Sequence, residues 1–268
     1  MAGTLATIAK LLLLGLVALP FMVMLTVALT DSGLMLLLGG ASQAELTLTH
    51  LGHVLRDGAY LTYFINSSIV AGGTLLGQLL VSVPAGFALA RLRLPGRGLF
   101  FAAVLAALVV PHEVLALPLF VGMSSLGLMD TLVALILPSI ASPFAIFLFR
   151  QVFLTLPQDL LDAAAIDGIG SFGMLTRIGL PVAASAIAAF AVISLSAHWN
   201  DLLWPLIVSQ TEASRTVPLG LINYRNEESG DDYGPLMAAC LLMVAPLLIM
   251  FLALQRHFVR GLTFLGLK

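Results

Sequence analysis

The sequence predicts an all-α integral membrane protein with six transmembrane helices and one short cytoplasmic helix. Three observations predict this class. Hydrophobic residues make up 60% of the chain and charged residues only 10%, whereas soluble domains carry about 25% charged residues. The mean hydropathy is +1.06. The apolar residues also cluster into segments that are long enough to cross the hydrocarbon layer, which takes roughly 20 residues in a helix.

Six such segments form a single predicted membrane domain over residues 1–268. Lys10 precedes the first segment, a pattern that also occurs in cleaved signal peptides, but no small-x-small cleavage site follows and the stretch is long. The first segment is therefore interpreted as a span. The predicted spans are residues 9–30, 63–90, 98–122, 130–153, 182–208 and 235–256.

The positions of Lys and Arg predict the orientation, because cytoplasmic loops carry an excess of positive charge. If the N-terminus is cytoplasmic, only Arg56, Arg215 and Arg225 lie outside. We therefore expect both termini in the cytoplasm, and we expect the arginines at 91, 93 and 97 to anchor a turn to lipid headgroups. The cytoplasmic set is Lys10, Arg91, Arg93, Arg97, Arg150, Arg177, Arg256, Arg260 and Lys268.

Composition also argues against several kinds of site. A net charge of -2 is not typical of nucleic-acid binding, which needs a clustered basic surface. Cys240 is the only cysteine and lies in an apolar run, so we expect it to pack rather than to bind metal. His198 has no evident metal-ligand partner. No G-x-x-x-x-G-K-[ST] sequence is present to bind ATP phosphates.

A polar cytoplasmic segment, residues 157–181, separates the fourth and fifth spans and contains DAAAIDGIGSFGMLTRIGLP. Pro157 suits a first helical turn, and the residues after it favour a helix. Gly168 and Gly170 permit a sharp reversal. A second short helix that ends before Pro181 is predicted to follow.

The alanines at 163, 164 and 165 suggest a small-residue face that docks into a groove on a partner protein. The alternative is a linker, or an amphipathic helix that rests on the lipid headgroups. Three acidic residues, Asp159, Asp162 and Asp167, fit poorly with an anionic membrane surface.

This segment resembles the EAA loop of ABC importer permeases, whose pattern is E-A-A, two residues, D-G, about nine residues and then I-x-L-P. Asp162 replaces the usual glutamate. Further segments are similar, in the same order, to permeases of the maltose-type carbohydrate-uptake family: FINSSIVAG, ALARLRLPGRGLF, VVPHEVLALPLF, HWNDLLWPLI and QRHFVRGLT. The matching loop positions are Asp162, Ala163, Ala164, Asp167, Gly168, Ile178, Leu180 and Pro181.

The resemblance implies a type I ABC importer permease in a prokaryotic inner membrane. Such a permease pairs with a second, homologous permease and receives substrate from an extracytoplasmic binding protein. Two copies of a cytoplasmic ATPase subunit would dock on the EAA loops and bind ATP and Mg, so this chain itself would bind no cofactor and catalyse no reaction. The implied ATPase-coupling residues are Asp162, Ala163, Ala164, Asp167, Gly168, Arg177 and Pro181.

Polar residues inside the spans are candidates for the substrate pathway, because they are costly in a membrane. Glu113 lies between Pro111 and Pro118, whose spacing predicts one face of a kinked helix. It would bind sugar hydroxyls or pair with a neighbouring helix.

In the fifth span, Asn200, Asp201 and Trp204 are predicted to share a face. They would either line a sugar pocket or hold helices together. Asn66, within a formal glycosylation sequon, is predicted to cap the outer end of the second span.

The outer loops, residues 31–62 and 209–234, are candidates for docking the binding protein, with solvated connectors as the alternative. Two other functions stay open. An ion-coupled secondary transporter could use Glu113 and Asp201 to carry protons. An importer of the same family could instead carry glycerol phosphate derivatives or amino sugars, although no Lys or Arg lies deep in a predicted span, which favours a neutral sugar.

Overall fold

The computed structural model of the chain describes residues 2–31, 39, 45–224 and 233–264, which are predominantly helical. Within them, strand-type pairing is limited to one isolated bridge between Thr30 and Leu46. The helices are α1 (Ala2–Leu29), α2 (Thr49–Arg56), α3 (Gly58–Arg91), α4 (Arg97–Val109), α5 (Ala116–Ser125), α6 (Leu132–Ile136), α7 (Pro143–Leu154), α8 (Gln158–Ile166), α9 (Ser171–Met174), α10 (Leu180–Trp199), α11 (Leu203–Val208), α12 (Val217–Gly220) and α13 (Tyr233–Phe264). Shorter turns of 3-10 helix occupy His112–Leu115, Leu137–Ser139, Glu212–Ser214 and Leu221–Tyr224, and a π turn occupies Leu175–Gly179.

Four of these helical segments are individually long and apolar enough to cross a membrane. Two bent helix pairs raise the number to six spans within the described residues if each pair is one span. The chain is therefore an all-α membrane protein. The four single segments are Ala6–Leu29, Gly58–Arg91, Ser171–Trp199 and Tyr233–Ala253.

The third and fourth predicted spans are broken rather than continuous. Arg97–Val109 meets His112–Ser125 at 98°, and Leu132–Ser139 meets Pro143–Leu154 at 45°. The break in the third span contains Pro111, and the break in the fourth span precedes Pro143. The residue before Pro111 is extended, because Val110 has φ -76° and ψ 118°. Proline disfavours the helical conformation in the preceding residue, which explains the break. The expectation of one kinked helix face carrying Pro111, Glu113 and Pro118 is therefore wrong.

Contacts group the chain into two compact units. The first unit covers residues 1–65 and 215–248, and the second covers residues 66–214 and 249–268. In the first unit, Tyr60 and Tyr63 of α3 are buried in a core with Val54, Val217 and Ala238. The Tyr60 hydroxyl donates to the carbonyl of Ala239 at 3.1 Å, which satisfies a polar group inside this core.

In the second unit, α3 lies very close to the broken fourth span. A Cβ on Gly77 would lie 2.6 Å from Cγ2 of Ile140, and one on Gly73 would lie 2.9 Å from Cδ1 of Ile136. Glycines four residues apart allow transmembrane helices to approach closely. The main core of this unit contains the buried rings of Phe87, Phe149, Phe153 and Phe190.

The polar residue predicted to cap the second span lies inside a helix instead. Because α3 begins at Gly58, Asn66 is well within it, and its side-chain amide donates to the carbonyl of Ala213 at 2.8 Å. Some other predicted positions lie outside the described residues: parts of both outer loops (32–38, 40–44 and 225–232) and the side chains of Arg225, Arg256, Arg260 and Lys268.

Candidate functional site

The polar segment between the fourth and fifth spans forms a short, exposed helix, α8. Pro157 precedes it in an extended conformation, and Asp167 ends it. The N–H of Gly168 donates to the carbonyl of Ala165 at 3.0 Å, and the N–H of Ile169 donates to that of Ala164 at 2.9 Å. Gly168 is left-handed, with φ +75°. These features form a Schellman motif, which requires a residue with positive φ just beyond the helix.

The exposed surface of α8 differs from the predicted alanine face. Ala164 is buried beside Leu161, whereas Ala163 and Asp162 are exposed. Consecutive helix positions point about 100° apart, so three adjacent alanines do not share one face. Ala164 is therefore a packing residue of α8. Large apolar side chains are exposed nearby, with Ile166 87% exposed and Phe172 78% exposed.

Arg91, at the end of α3, ties α8 to two spans. Its Nε donates to the carbonyl of Phe153 at 2.8 Å, and Nη2 donates to the carbonyls of Leu154, at 2.9 Å, and Leu156. These carbonyls lie at or just beyond the C-terminal end of α7, where a helix leaves acceptors with spare hydrogen-bonding capacity. The predicted role of Arg91 as a headgroup anchor is therefore wrong. Its guanidinium is held by backbone carbonyls of the protein.

The same arginine reaches the first residue of α8. Nη1 of Arg91 donates to Oε1 of Gln158 at 3.4 Å, and Nε2 of Gln158 donates to Oδ1 of Asp162 at 2.9 Å. A chain of hydrogen bonds thus runs from the end of a membrane span to the exposed carboxylate that aligns with the EAA glutamate.

The segment after α8 does not form a separate short helix that ends before Pro181. Ser171–Trp199 runs on as one long helical segment, through the π turn at Leu175–Gly179. Pro181 lies in the first turn of α10, and a π turn changes the hydrogen-bond register just before this residue, which has no N–H to donate. Arg177 is exposed in the π turn.

A cavity of about 540 Å³ lies in the second unit and is lined by both broken spans. Its polar lining residues are Gln78 of α3, His112, Ser139, Ser142 and His198 of α10. Nε2 of Gln78 lies 2.9 Å from the carbonyl oxygen of Ser139 and 3.1 Å from Nε2 of His198. The hydroxyl of Ser194 donates to Oε1 of Gln78 at 2.6 Å.

A smaller cavity of about 80 Å³ shares His112 and Leu119 with the first. Three of the four predicted pathway residues line it: Glu113, Asp201 and Trp204.

Asn200 is not among the residues that line the smaller cavity. Its amide donates to the carbonyl of Ser196 at the end of α10, at 2.8 Å.

Trp204 is only 6% exposed, and its indole N–H donates to the carbonyl of Ala134 at 2.9 Å. Trp204 therefore mainly packs α11 against α6. The backbone N–H of Trp204 points at Oδ1 of Asp201 at 3.4 Å, so this carboxylate also supports the start of α11.

Sequence reasoning missed Gln78 and His198 as members of one site. Each interrupts an apolar span with a polar side chain, which is a signal of function or pairing inside a membrane. Their meeting across 120 positions of sequence was not visible in any local pattern.

Asp130 organises the start of the 209–234 loop. It adopts φ 62° between the third and fourth spans. Its Oδ1 accepts from the N–H of Gln210 at 2.8 Å, from the N–H of Thr211 at 3.0 Å and from the Ser214 hydroxyl. The hydrogen bonds, led by that of Ser214, hold the pKa of Asp130 well below its usual value. This carboxylate is therefore a fixed structural clamp.

Comparison with known protein families identifies the chain. The family described as "Binding-protein-dependent transport system inner membrane component" matches residues 82–264.

Several characterised proteins are similar in sequence. The arabinooligosaccharides transport system permease protein AraQ of Halalkalibacterium halodurans is 39% identical over 84% of this chain and 81% of that protein. The lactose transport system permease protein LacG of Rhizobium radiobacter is 38% identical over 75% of this chain and 73% of that protein. The sn-glycerol-3-phosphate transport system permease protein UgpE of Yersinia pestis is 36% identical over 74% of this chain and 71% of that protein.

Two solved structures share the fold. A bacterial ABC transporter involved in the import of the acidic polysaccharide alginate matches with a TM-score of 0.82 and 21% identity, over 96% of this chain and 98% of the other. A bacterial alginate ABC transporter in complex with an alginate pentasaccharide-bound periplasmic protein matches with a TM-score of 0.65 and 16% identity, over 94% of this chain and 92% of the other.

Proposed function

The chain belongs to the family of inner-membrane components of binding-protein-dependent transport systems, and we propose that it is the permease subunit of an ATP-driven importer for a sugar or oligosaccharide. It forms half of the translocation pathway and pairs with a second, homologous permease. Both termini lie in the cytoplasm. An extracytoplasmic binding protein delivers the substrate, and the outer loops are the surface on which it docks.

The observation that carries the proposal is the exposed helix α8 and its attachment to the membrane spans. Ile166 and Phe172 expose large apolar side chains, and the charged Asp162, one helical turn before Ile166, is also exposed. An exposed apolar surface with a charged rim is typical of a docking site for another protein. Two copies of a cytoplasmic ATPase subunit bind ATP and Mg, and one copy docks on this surface of each permease. ATP hydrolysis takes place in those subunits.

The hydrogen bonds of Arg91 support a route by which movement of the ATPase would reach the pathway. Its guanidinium bonds at once to the end of α7 and to Gln158 at the start of α8. A displacement of α8 would therefore be transmitted to the spans that contain α3 and α7. This attachment favours a coupling role over the alternative of a passive connection between spans.

The names of the relatives support a proposal for the substrate class. Two of the three similar permeases described above are named for arabinooligosaccharides and lactose, and the third is named for glycerol 3-phosphate. We infer a neutral sugar or oligosaccharide, with a glycerol phosphate derivative or an amino sugar as the alternative. The choice can be tested by transport.

The first test is ATP hydrolysis and sugar uptake by the complex reconstituted in proteoliposomes, for wild type and Asp162→Arg. We expect Asp162 to face a basic residue of the ATPase. An arginine here would place two like charges together at a cost of several kcal/mol, so substrate-stimulated hydrolysis is expected to fall about tenfold or more. Asp162→Glu, which restores the usual family residue, is the conservative comparison and is expected to retain hydrolysis. Equal hydrolysis by wild type and Asp162→Arg, or uptake driven by a proton gradient without ATP, would contradict the proposal.

A further inference from the structure

Both broken spans place their breaks against the same cavity. Val110 and His112 lie at the break of the third span, and Pro138 and Pro143 flank the break of the fourth, and all four line the cavity of about 540 Å³. Non-helical backbone at membrane depth is tolerated only where it is buried in protein or lines a water-filled cavity. Broken helices also form the substrate sites of several transporter folds. We therefore expect this cavity to hold water and polar solutes rather than lipid tails.

Gln78 determines which nitrogen of His198 carries a proton. The Gln78 amide nitrogen lies 2.9 Å from the Ser139 carbonyl oxygen. If the amide were flipped, Oε1 of Gln78 would face the Ser139 carbonyl oxygen, and two acceptors cannot form a hydrogen bond. The amide nitrogen is therefore assigned to this position. The same amide nitrogen, which only donates, lies 3.1 Å from Nε2 of His198. We therefore infer that Nε2 accepts this hydrogen bond and that the neutral tautomer carries its proton on Nδ1. His198 lines the cavity, and in this tautomer its Nδ1–H is the donor that the side chain can offer to a ligand.

The rest of the lining suits an uncharged ring. Phe144 lines the cavity and is 41% exposed, so it offers an accessible aromatic surface. Among the described residues, the lining contains no Asp, Glu, Lys or Arg side chain. The volume lies within the range of about 300–1,000 Å³ that is usual for small-molecule sites. The lining does contain two histidines, His112 and His198, but no permanently charged side chain. An anion placed here would lose its hydration without a permanently positive partner from the lining, which is costly.

We propose that this cavity is a subsite for one unit of a neutral carbohydrate. Nδ1–H of His198 donates to a sugar hydroxyl, Gln78 orients the imidazole, and Phe144 contacts the apolar face of the sugar ring. The proposal rests on the proposed function, to which it adds a binding site contributed by this chain and selection against anionic sugars. The aromatic contact with the sugar is therefore assigned to Phe144 and not to Trp204, whose ring is buried.

The selectivity is tested with the wild-type complex and its binding protein in proteoliposomes. The probes are arabinotriose, lactose, glycerol 3-phosphate and a mannuronate trisaccharide. ATP-driven uptake of a neutral probe in preference to both anionic probes is expected. Preferred uptake of an anionic probe would overturn the subsite proposal and leave the importer standing. If ATP drives uptake of none of the four, the proposed function itself is contradicted.

The residue roles are tested by His198→Leu and His198→Asn. Loss of the donor is expected to lower uptake of the neutral probe about fivefold, which corresponds to one neutral hydrogen bond. Asparagine keeps an N–H donor near the position of Nδ1 and is expected to restore part of the uptake. Uptake is expected to fall more than ATP hydrolysis, so that more ATP is used per sugar, whereas a general assembly defect lowers both together.

The aromatic contact is tested by Phe144→Leu, with Phe100→Leu as the matched control. Phe100 is 64% exposed and is not among the residues that line the cavity. Phe144→Leu is expected to lower uptake about threefold, while Phe100→Leu leaves it unchanged. If His198→Leu does not assemble, the comparison of Phe144→Leu with Phe100→Leu tests the subsite proposal on its own. Equal uptake by the two phenylalanine variants would overturn the proposal, as would wild-type uptake by an assembled His198→Leu complex.

Discussion

The coupling helix and the membrane cavity are built in opposite ways. The coupling helix α8 and its reversal come from a continuous stretch, residues 157–170, in which each position has a local reason: a proline before the helix, helix formers within it and Gly168 beyond it. The cavity is built from five α-helices and two 3-10 turns, and its polar lining joins Gln78 to His198, 120 positions further along the chain. Local chemistry therefore shapes the part that is proposed to meet the ATPase, while tertiary packing shapes the part that lines the proposed pathway.

Arg91 is an exception to this contrast. It lies far from α8 in sequence, yet its hydrogen bonds connect α8 to the membrane spans. Arg91→Ala removes donors to the carbonyls of Phe153, Leu154 and Leu156 and to Gln158. Hydrogen bonds to a charged group contribute about 1.5–3 kcal/mol each and are not additive, so a loss of about 3 kcal/mol of stability is expected. This is the largest loss of stability that we predict. Thermal unfolding of the purified complex and ATP used per imported sugar are the measurements.

Arg93→Ala is the matched control, because Arg93 is exposed and lies two residues away. It is expected to behave as wild type in both measurements. If the two variants behaved alike, the coupling helix would depend on its local sequence alone, and the route from α8 to the spans through Arg91 would be wrong.

The sequence predicted the coupling segment better than the spans around it. The sequence predicts a reversal at Gly168, and the structure has positive φ there, which glycine tolerates. It does not predict the break at Pro111, because a proline in an apolar run signals either a kink or an interruption, and only packing against neighbouring elements decides between them. The meeting of Gln78 with His198 could not be predicted, because periodicity gives the face of one helix but not the helix it contacts.

The cavity side of the comparison is tested by Gly77→Ala. The new Cβ would lie 2.6 Å from Cγ2 and 3.1 Å from Cβ of Ile140, at the break of the fourth span. Overpacking costs about 1–3 kcal/mol, so a loss of about 2 kcal/mol is expected, together with reduced uptake, because the wall of the cavity must shift. Thermal unfolding and uptake of the neutral probe are measured beside Gly72→Ala. A Cβ on Gly72 meets no atom within 4 Å, so this control is expected to match wild type.

The local side of the comparison is tested by Gly168→Ala, for which we expect the smallest effect. Gly168 has φ +75° and a Cβ there meets no atom within 4 Å, so the cost comes from the backbone alone. A left-handed conformation costs an L-residue about 1–2 kcal/mol, and we expect a loss of about 1 kcal/mol because exposed α8 relaxes in part. Gly170→Ala is the control, because Gly170 has φ -71° and equal space. We expect substrate-stimulated ATP hydrolysis to fall for Gly168→Ala but not for Gly170→Ala. If sugar uptake falls in the same proportion, the substitution weakens docking of the ATPase. Equal behaviour of the two variants would mean that the reversal after α8 is not set by the left-handed glycine, and the local account of this segment would be wrong.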